Sequence, residues 1–209
     1  NILQGMQGGS YLVNIGLEND DGDAIRKGWS IVEKNQERIS NLVMDMLTFS
    51  KDRRPEFEEH DLNQLVADVC ELMQARADEA QTDLICDYRS DLPPIMFDAD
   101  LMHRAILNVV ANAVDACRDV DDAVVSVSTS LCDDSKFAVI TISDNGEGIP
   151  ESDLARIFLV FESTKGSRGT GLGLPVSLKI LKEHEGTIEV ESEPGQGSCF
   201  RLQFPIRPT

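Results

Sequence analysis

The sequence predicts an α+β chain, with an N-terminal helical hairpin that forms half of a dimeric four-helix bundle, followed by an α/β sandwich. Three observations carry this. Apolar residues recur at steps of four and three between residues 25 and 46. Strand-like alternation begins only beyond residue 56, interleaved with helical stretches. Between the two, Lys51-Asp52-Arg53-Arg54-Pro55 interrupts the helical pattern, which places the division at residues 1–54 and 55–209.

Within the hairpin, Ile2, Leu3, Met6, Leu12 and Val13 form a first apolar helix face. The polar, glycine-bounded stretch 16–23 reads as a turn. Ile25, Trp29, Val32, Ile39, Val43 and Met46 then form a heptad seam interrupted at Gln36, widened by Leu42, Leu47 and Phe49. Two such helices leave too much apolar surface for one another to cover, so a homodimer through a four-helix bundle is expected. The competing reading packs the hairpin on the second part of its own chain.

The second part reads as an extended segment over 56–62, a helix from Asn63 to about Glu79, a strand near 83–88 and a helix over 99–117. Alternation at 123–128 and 137–142 makes two strands of a hairpin. A helix near 173–184 leads to strands at 187–191 and 199–204 around a Pro-Gly-Gln-Gly turn, giving a mixed sheet with helices on one face.

Charge and cysteine content exclude several functions. The net charge is −18, with 7 basic and 8 acidic residues in positions 1–55 and 12 basic against 29 acidic beyond. No basic patch is concentrated anywhere, which argues against nucleic acid. No apolar run is long enough for a bilayer, so no membrane contact is expected of these residues, although the whole protein could be anchored elsewhere. Five widely spaced cysteines without C-x-x-C point to reduced thiols in the cytoplasm.

Three motifs bear chemistry, and no P-loop is among them. Asp144-Asn145-Gly146-Glu147-Gly148-Ile149-Pro150 follows a strand, and its glycines let backbone approach a flat ligand. The Asp144 carboxylate suits the exocyclic amino group of adenine and repels the carbonyl of guanine; a plain Asp-Asn-Gly turn is the alternative. Gly169-Thr170-Gly171-Leu172-Gly173-Leu174 runs into a helix and offers backbone amides to an anion. Lys165 and Arg168 stand beside it as candidate phosphate contacts. Asn108 and Asn112, four residues apart, share a helix face where apolar residues fill the other positions. One amide oxygen with triphosphate oxygens and water suits magnesium, although two asparagines on a helix are more often structural.

In order and spacing, Asn-x-x-x-Asn-Ala, Asp-x-Gly-x-Gly-Ile-Pro, Phe158-x-x-Phe161 and Gly-Thr-Gly-Leu-Gly-Leu closely resemble the N, G1, F and G2 boxes of sensor histidine kinases, which have an ATP-binding domain of the GHKL type. Pro194-Gly195-Gln196-Gly197-Ser198 matches that family's closing segment, so the resemblance covers 56–209, and the hairpin looks like the family's dimerisation and histidine-phosphotransfer domain. The resemblance implies ATP and Mg2+ as cofactors and a catalytic set of Asn108, Asn112 and Lys165. Asn112 would hold the metal, and Asp144, Gly146 and Gly148 the adenine. Phe158 and Phe161 would anchor a lid over 162–168, although the same spacing also suits plain core. Lys165, Arg168, Gly169, Thr170, Gly171, Leu172 and Gly173 would surround the phosphates, with Asn108 beside them.

The activity implied is autophosphorylation of a histidine and transfer to an aspartate of a response regulator receiver domain, with residues 53–55 as a hinge. Two departures qualify the match. Asp115 stands where many members carry a basic residue, which leaves the phosphate charge to a residue such as Lys165. None of His60, His103 and His184 falls in the hairpin, so the acceptor is expected upstream of residue 1. Asn1 then takes the place from which relatives orient water for dephosphorylation. The rivals are a GHKL-type ATPase, which would need a glutamate base where Asn108 stands, a non-catalytic adapter that docks a response regulator, and a serine kinase that antagonises sigma factors, which the long hairpin opposes.

Overall fold

The structure, a computed structural model, describes residues 2–50, 54–132, 136–162 and 170–206. It opens with two antiparallel helices, α1 (Ile2–Glu18) and α2 (Gly22–Ser50). The turn between them is shorter than expected, because helix continues through Gly16 and resumes at Gly22. Asp20 takes φ 53°, and the Asp21 carboxylate accepts from the Asp23 and Ala24 N–H groups, so three residues suffice to reverse the chain.

The seam of the hairpin also differs from the expected heptad. A Cβ on Gly28 would stand 2.7 Å from the Gly9 carbonyl oxygen, so the helices meet backbone to backbone there. That contact turns Gly28 and Asn35 inward. Ile25, Val32, Ile39 and Leu42 are half-buried, whereas Trp29, Val43, Met46 and Leu47 are exposed; the Phe49 side chain lies outside those described. With Leu3, Tyr11 and Leu17, these exposed residues leave apolar surface that one hairpin does not cover.

The second part holds β1 (Glu58–His60), α3 (Leu62–Glu79), β2 (Asp83–Asp87), β3 (Ile95–Phe97), α4 (Ala99–Ala116), β4 (Val124–Leu131), β5 (Phe137–Asp144), α5 (Glu151–Leu154), α6 (Gly173–Glu183), β6 (Thr187–Glu193) and β7 (Gly197–Pro205). The main sheet runs β2-β4-β5-β7-β6, with β2 and β4 parallel and the other pairs antiparallel, while β1 pairs with β3 in a separate ribbon. The core lies between one sheet face and α3, α4 and α6, where alternate residues such as Val125, Val127, Ile140, Ile142 and Leu202 meet Val66, Met102, Ile106, Val110 and Ile180. This core begins at Leu62.

Two aspartates set where the long helices start. Asp61 accepts from the Asn63 and Gln64 N–H groups, and Asp98 from that of Leu101. The Asp98 N–H in turn donates to His184 Nε2 at 3.0 Å, which ties the start of α4 to the end of α6. β3 and α5 are too short to leave a periodic trace in sequence. No helix among the described residues is long and apolar enough to cross a membrane.

Candidate functional site

α4 is the spine of the site. Leu101, Ala105, Ile106, Val109, Val110 and Ala113 bury one side of the helix, which leaves Asn108 and Asn112 half-buried on another. The Asn108 amide donates to the Gly173 carbonyl at 3.1 Å, and Ser177 Oγ donates to that of Ala105 at 3.1 Å, so α6 begins against the asparagine face. Two turns further on, the Ala116 carbonyl accepts from the Glu147 N–H at 3.1 Å. A Cβ on Gly146 would stand 2.5 Å from the Ala116 carbonyl oxygen, so only glycine lets the turn after β5 close on α4. Asn112 thus lies midway between the two glycine segments, each ~6 Å away along the helix at 1.5 Å per residue.

Asp144, at the end of β5, is 9% exposed. Its Oδ1 accepts from the N–H groups of Gly146 at 2.9 Å and Ser198 at 3.3 Å. It opens onto a cleft of about 860 Å³ with Glu151, Leu154, Val190, Ser192, Pro194 and Ser198 among its walls. Gly148 adopts φ +69° and passes so close to the Glu193 carbonyl that a side chain would collide with it. Asn145, given no role by the motif, accepts from Val124 N–H at 2.8 Å and donates to the Asp122 carbonyl at 2.9 Å, holding the turn on β4. Burial, with the Asp144 charge adding to it, pushes the adjacent Cys117 thiol up to about 11.

Asn108 and Asn112 do not line that cleft; α4 is what connects them to it. Lys165, Arg168 and Gly169, like Asn1, lie outside the described residues, as does most of the expected lid. Its two ends are joined, since the Phe161 N–H donates to the Gly171 carbonyl at 2.9 Å and Gly171 takes φ +65°. Phe158 packs on the core as expected of an anchor. Phe161 does not: its ring is 68% exposed and φ is +66°, because the backbone bond to Gly171, not ring burial, holds the residue. Thr170 Oγ1 accepts from the Leu172 N–H at 3.3 Å, and the buried Leu172 side chain seats the start of α6.

The expected charge deficit at Asp115 has a structural counterpart. Arg76, from α3, lies 2.8 Å from its carboxylate and Arg118 3.3 Å. The sequence gives no sign of Arg76, which stands 39 residues away. Of the histidines, His184 is buried with Nδ1 2.8 Å from the Ile180 carbonyl, His60 stacks near Phe97, and His103 is half-buried on α4.

Residues 97–208, just over half the chain, match the family described as histidine kinase-, DNA gyrase B- and HSP90-like ATPase. The chain belongs to this family. Within it, the chain is a sensor histidine kinase segment with a GHKL domain, and its curated relatives are named as kinases. It is 36% identical to the signal transduction histidine-protein kinase AtoS of Escherichia coli (strain K12) over 193 residues, which is 92% of this chain and 31% of AtoS. The crystal structure of full-length ShkA in complex with AMPPNP superposes with a TM-score of 0.77 at 26% identity, covering 90% of this chain and 40% of ShkA. Histidine kinase ThkA in complex with the response regulator protein TrrA shares the fold, with a TM-score of 0.73 at 22% identity over 99% of this chain and 60% of ThkA. The chain spans less than half the length of the curated relatives it matches, from 18% to 47%.

Proposed function

We propose that this chain is the ATP-binding and dimerising core of a sensor histidine kinase, divided at residues 54 and 55. The observation that carries the reading is the double attachment of α4, to Gly173 through Asn108 and to the Gly146 turn through Ala116, with Asn112 between. Asp144, oriented by two backbone donors, presents an acceptor to the adenine amino group, and Gly146 and Gly148 lie beneath the ring. Thr170, Gly171, Leu172 and Gly173, with Lys165, Arg168 and Gly169, surround the phosphates. Phe158 anchors the loop that covers them.

Mg2+ fits this donor set as an ion carried in with the nucleotide. No group of three or more His, Cys, Asp or Glu side chains could cage a metal among the described residues, and Asn112 supplies one amide oxygen. When bound, the ion offsets charge on the triphosphate. An acceptor imidazole then attacks the γ-phosphorus in line and ADP leaves. His184 is too deeply buried to serve, and neither described hairpin helix contains a histidine, which supports an acceptor outside these residues. From there the phosphoryl group passes to a receiver-domain aspartate of a response regulator, and Asn1 orients the water that later hydrolyses that aspartyl phosphate, releasing inorganic phosphate. The exposed Trp29, Val43, Met46 and Leu47 support a homodimer, and five widely spaced cysteines without a C-x-x-C motif support a cytoplasmic setting. Asn108 is an amide that donates to Gly173, so the general base of an ATPase is lacking at that position.

Magnesium-ATP titration of the chain against Asp144→Ala and Asn112→Ala tests the reading. Each variant is expected to weaken binding by about tenfold or more. Equal affinity in all three removes the nucleotide assignment.

A further inference from the structure

One contact between the hairpin and the sandwich belongs to neither part's own architecture. Asp45 on α2 and Arg104 on α4 form an ion pair at 2.8 Å, with side chains only 7% and 18% exposed. Asp45 is the one buried acid among the described hairpin residues. Burial raises its carboxyl above the usual range while Arg104 pulls it back, so the pair is desolvated by the docking of one part on the other. α2 also touches α6. Such a pair gains little net stability, because both charges recover water on separation, but it tolerates only one relative placement of its helices.

That placement relates two functional regions. Arg104 lies four residues before Asn108 and eight before Asn112, so the three share a face of α4, and Arg104 is ~6 Å beyond Asn108 at 1.5 Å per residue. On the hairpin, Gly5 stands against Asn35, where a Cβ would be 2.7 Å from the amide nitrogen. Asp45 is ten residues beyond Asn35 and Ile2 three before Gly5, which puts Asp45 ~10 Å past the level of Ile2. On the kinase reading, which puts the acceptor histidine upstream of residue 1, Asp45 stands at about the level of that histidine.

We propose that the Asp45–Arg104 pair is a docking latch that holds the asparagine face of α4 against α2 at the level of the phosphoacceptor, with Arg104 as a positioning residue for phosphoryl transfer. The transfer role rests on the kinase reading above; the latch itself does not.

Charge reversal tests both. In the 209-residue chain, Asp45→Arg is expected to enlarge the radius of gyration seen by solution X-ray scattering, and Asp45→Arg/Arg104→Asp to restore it. In the full-length protein with its acceptor histidine, Asp45→Arg is expected to lower the autophosphorylation kcat about tenfold or more, with KM for ATP held within about twofold and kcat largely recovered in the double variant. If Asp45→Arg does not fold by circular dichroism, Asp45→Asn is read in the same way. Unchanged scattering, or a double variant no more compact than Asp45→Arg, overturns the latch. A kcat that is unchanged or raised, or one that the double variant does not recover, overturns the positioning role. A wild-type chain that binds no ATP ends the kinase reading, and the scattering arm still decides the latch.

Discussion

Asp144 on β5 and Ser198 on β7 face one another across the ladder, and the Ser198 N–H donates to the Asp144 carboxylate at 3.3 Å. The turn before Ser198 makes this possible, since Gly197 adopts φ +89° and lies against the backbone carbonyl of Asp144. A side chain at Gly197 meets that carbonyl and also strains the backbone. Gly197→Ala is expected to cost about 2–3 kcal/mol of stability. Urea denaturation measures it, and a loss below 1 kcal/mol would show that the turn yields easily. ATP affinity should fall with it, because the donor that aims Asp144 is displaced.

Arg76 covers Asp115 one turn from Asn112. Without that guanidinium, a carboxylate stands closer to uncompensated beside the proposed triphosphate, with Arg118 left as its near cation. Arg76→Gln is expected to weaken ATP binding by about threefold to tenfold, and Asp115→Asn to reverse that loss in the double variant. Fluorescence titration of a labelled nucleotide checks both. Equal weakening in the single and double variants would assign Arg76 a direct or purely structural part.

His184 accepts from the Asp98 N–H through Nε2, which leaves the ring proton on Nδ1 to donate to the Ile180 carbonyl. Replacing it leaves the Asp98 N–H and the Ile180 carbonyl without those partners and opens a cavity beside Phe57, whose ring centroid is 5.1 Å away. His184→Ala should cost about 3 kcal/mol in chemical denaturation. A variant within 1 kcal/mol of wild type would show that water replaces the ring freely.

The raised Cys117 thiol makes stability depend on alkaline pH. An unfolded thiol ionises near 9.0, whereas the folded one keeps its proton to about 11. The folded state therefore binds more protons in that window, so this contribution is complete below pH 9.0 and is lost as pH rises through about 11. Denaturation midpoints of the wild type should drop between these values more than those of Cys117→Ala. Parallel midpoints in the two proteins would exclude Cys117 as the source.

Motif order and element type were legible before any coordinates. Asn108, Asn112, Asp144, Gly146 and Gly173 occupy one helix and the turns that meet it, and residues 123–128 and 137–142 do form a hairpin. The differences followed the limits of periodicity. A heptad count selected Trp29, Val43 and Met46 as a seam; glycine at 9 and 28 brings α1 and α2 together on a neighbouring face, which leaves those three exposed within one hairpin. Phe161 looked like a ring buried as an anchor, but the ring is exposed and the residue's contact with Gly171 is through the backbone.

What could be read from the chain alone was local: the alternation or helical spacing of apolar residues and the glycine turns, since each depends on residues within a turn or two. The pairings that orient the site lay beyond it. Asp115 meets Arg76 over 39 residues, Asp144 meets Ser198 over 54, Asp45 meets Arg104 over 59 and Asp98 meets His184 over 86. Such partners are chosen by how helices settle on a sheet and on one another, because a polar group removed from water takes whichever partner the packing brings within reach.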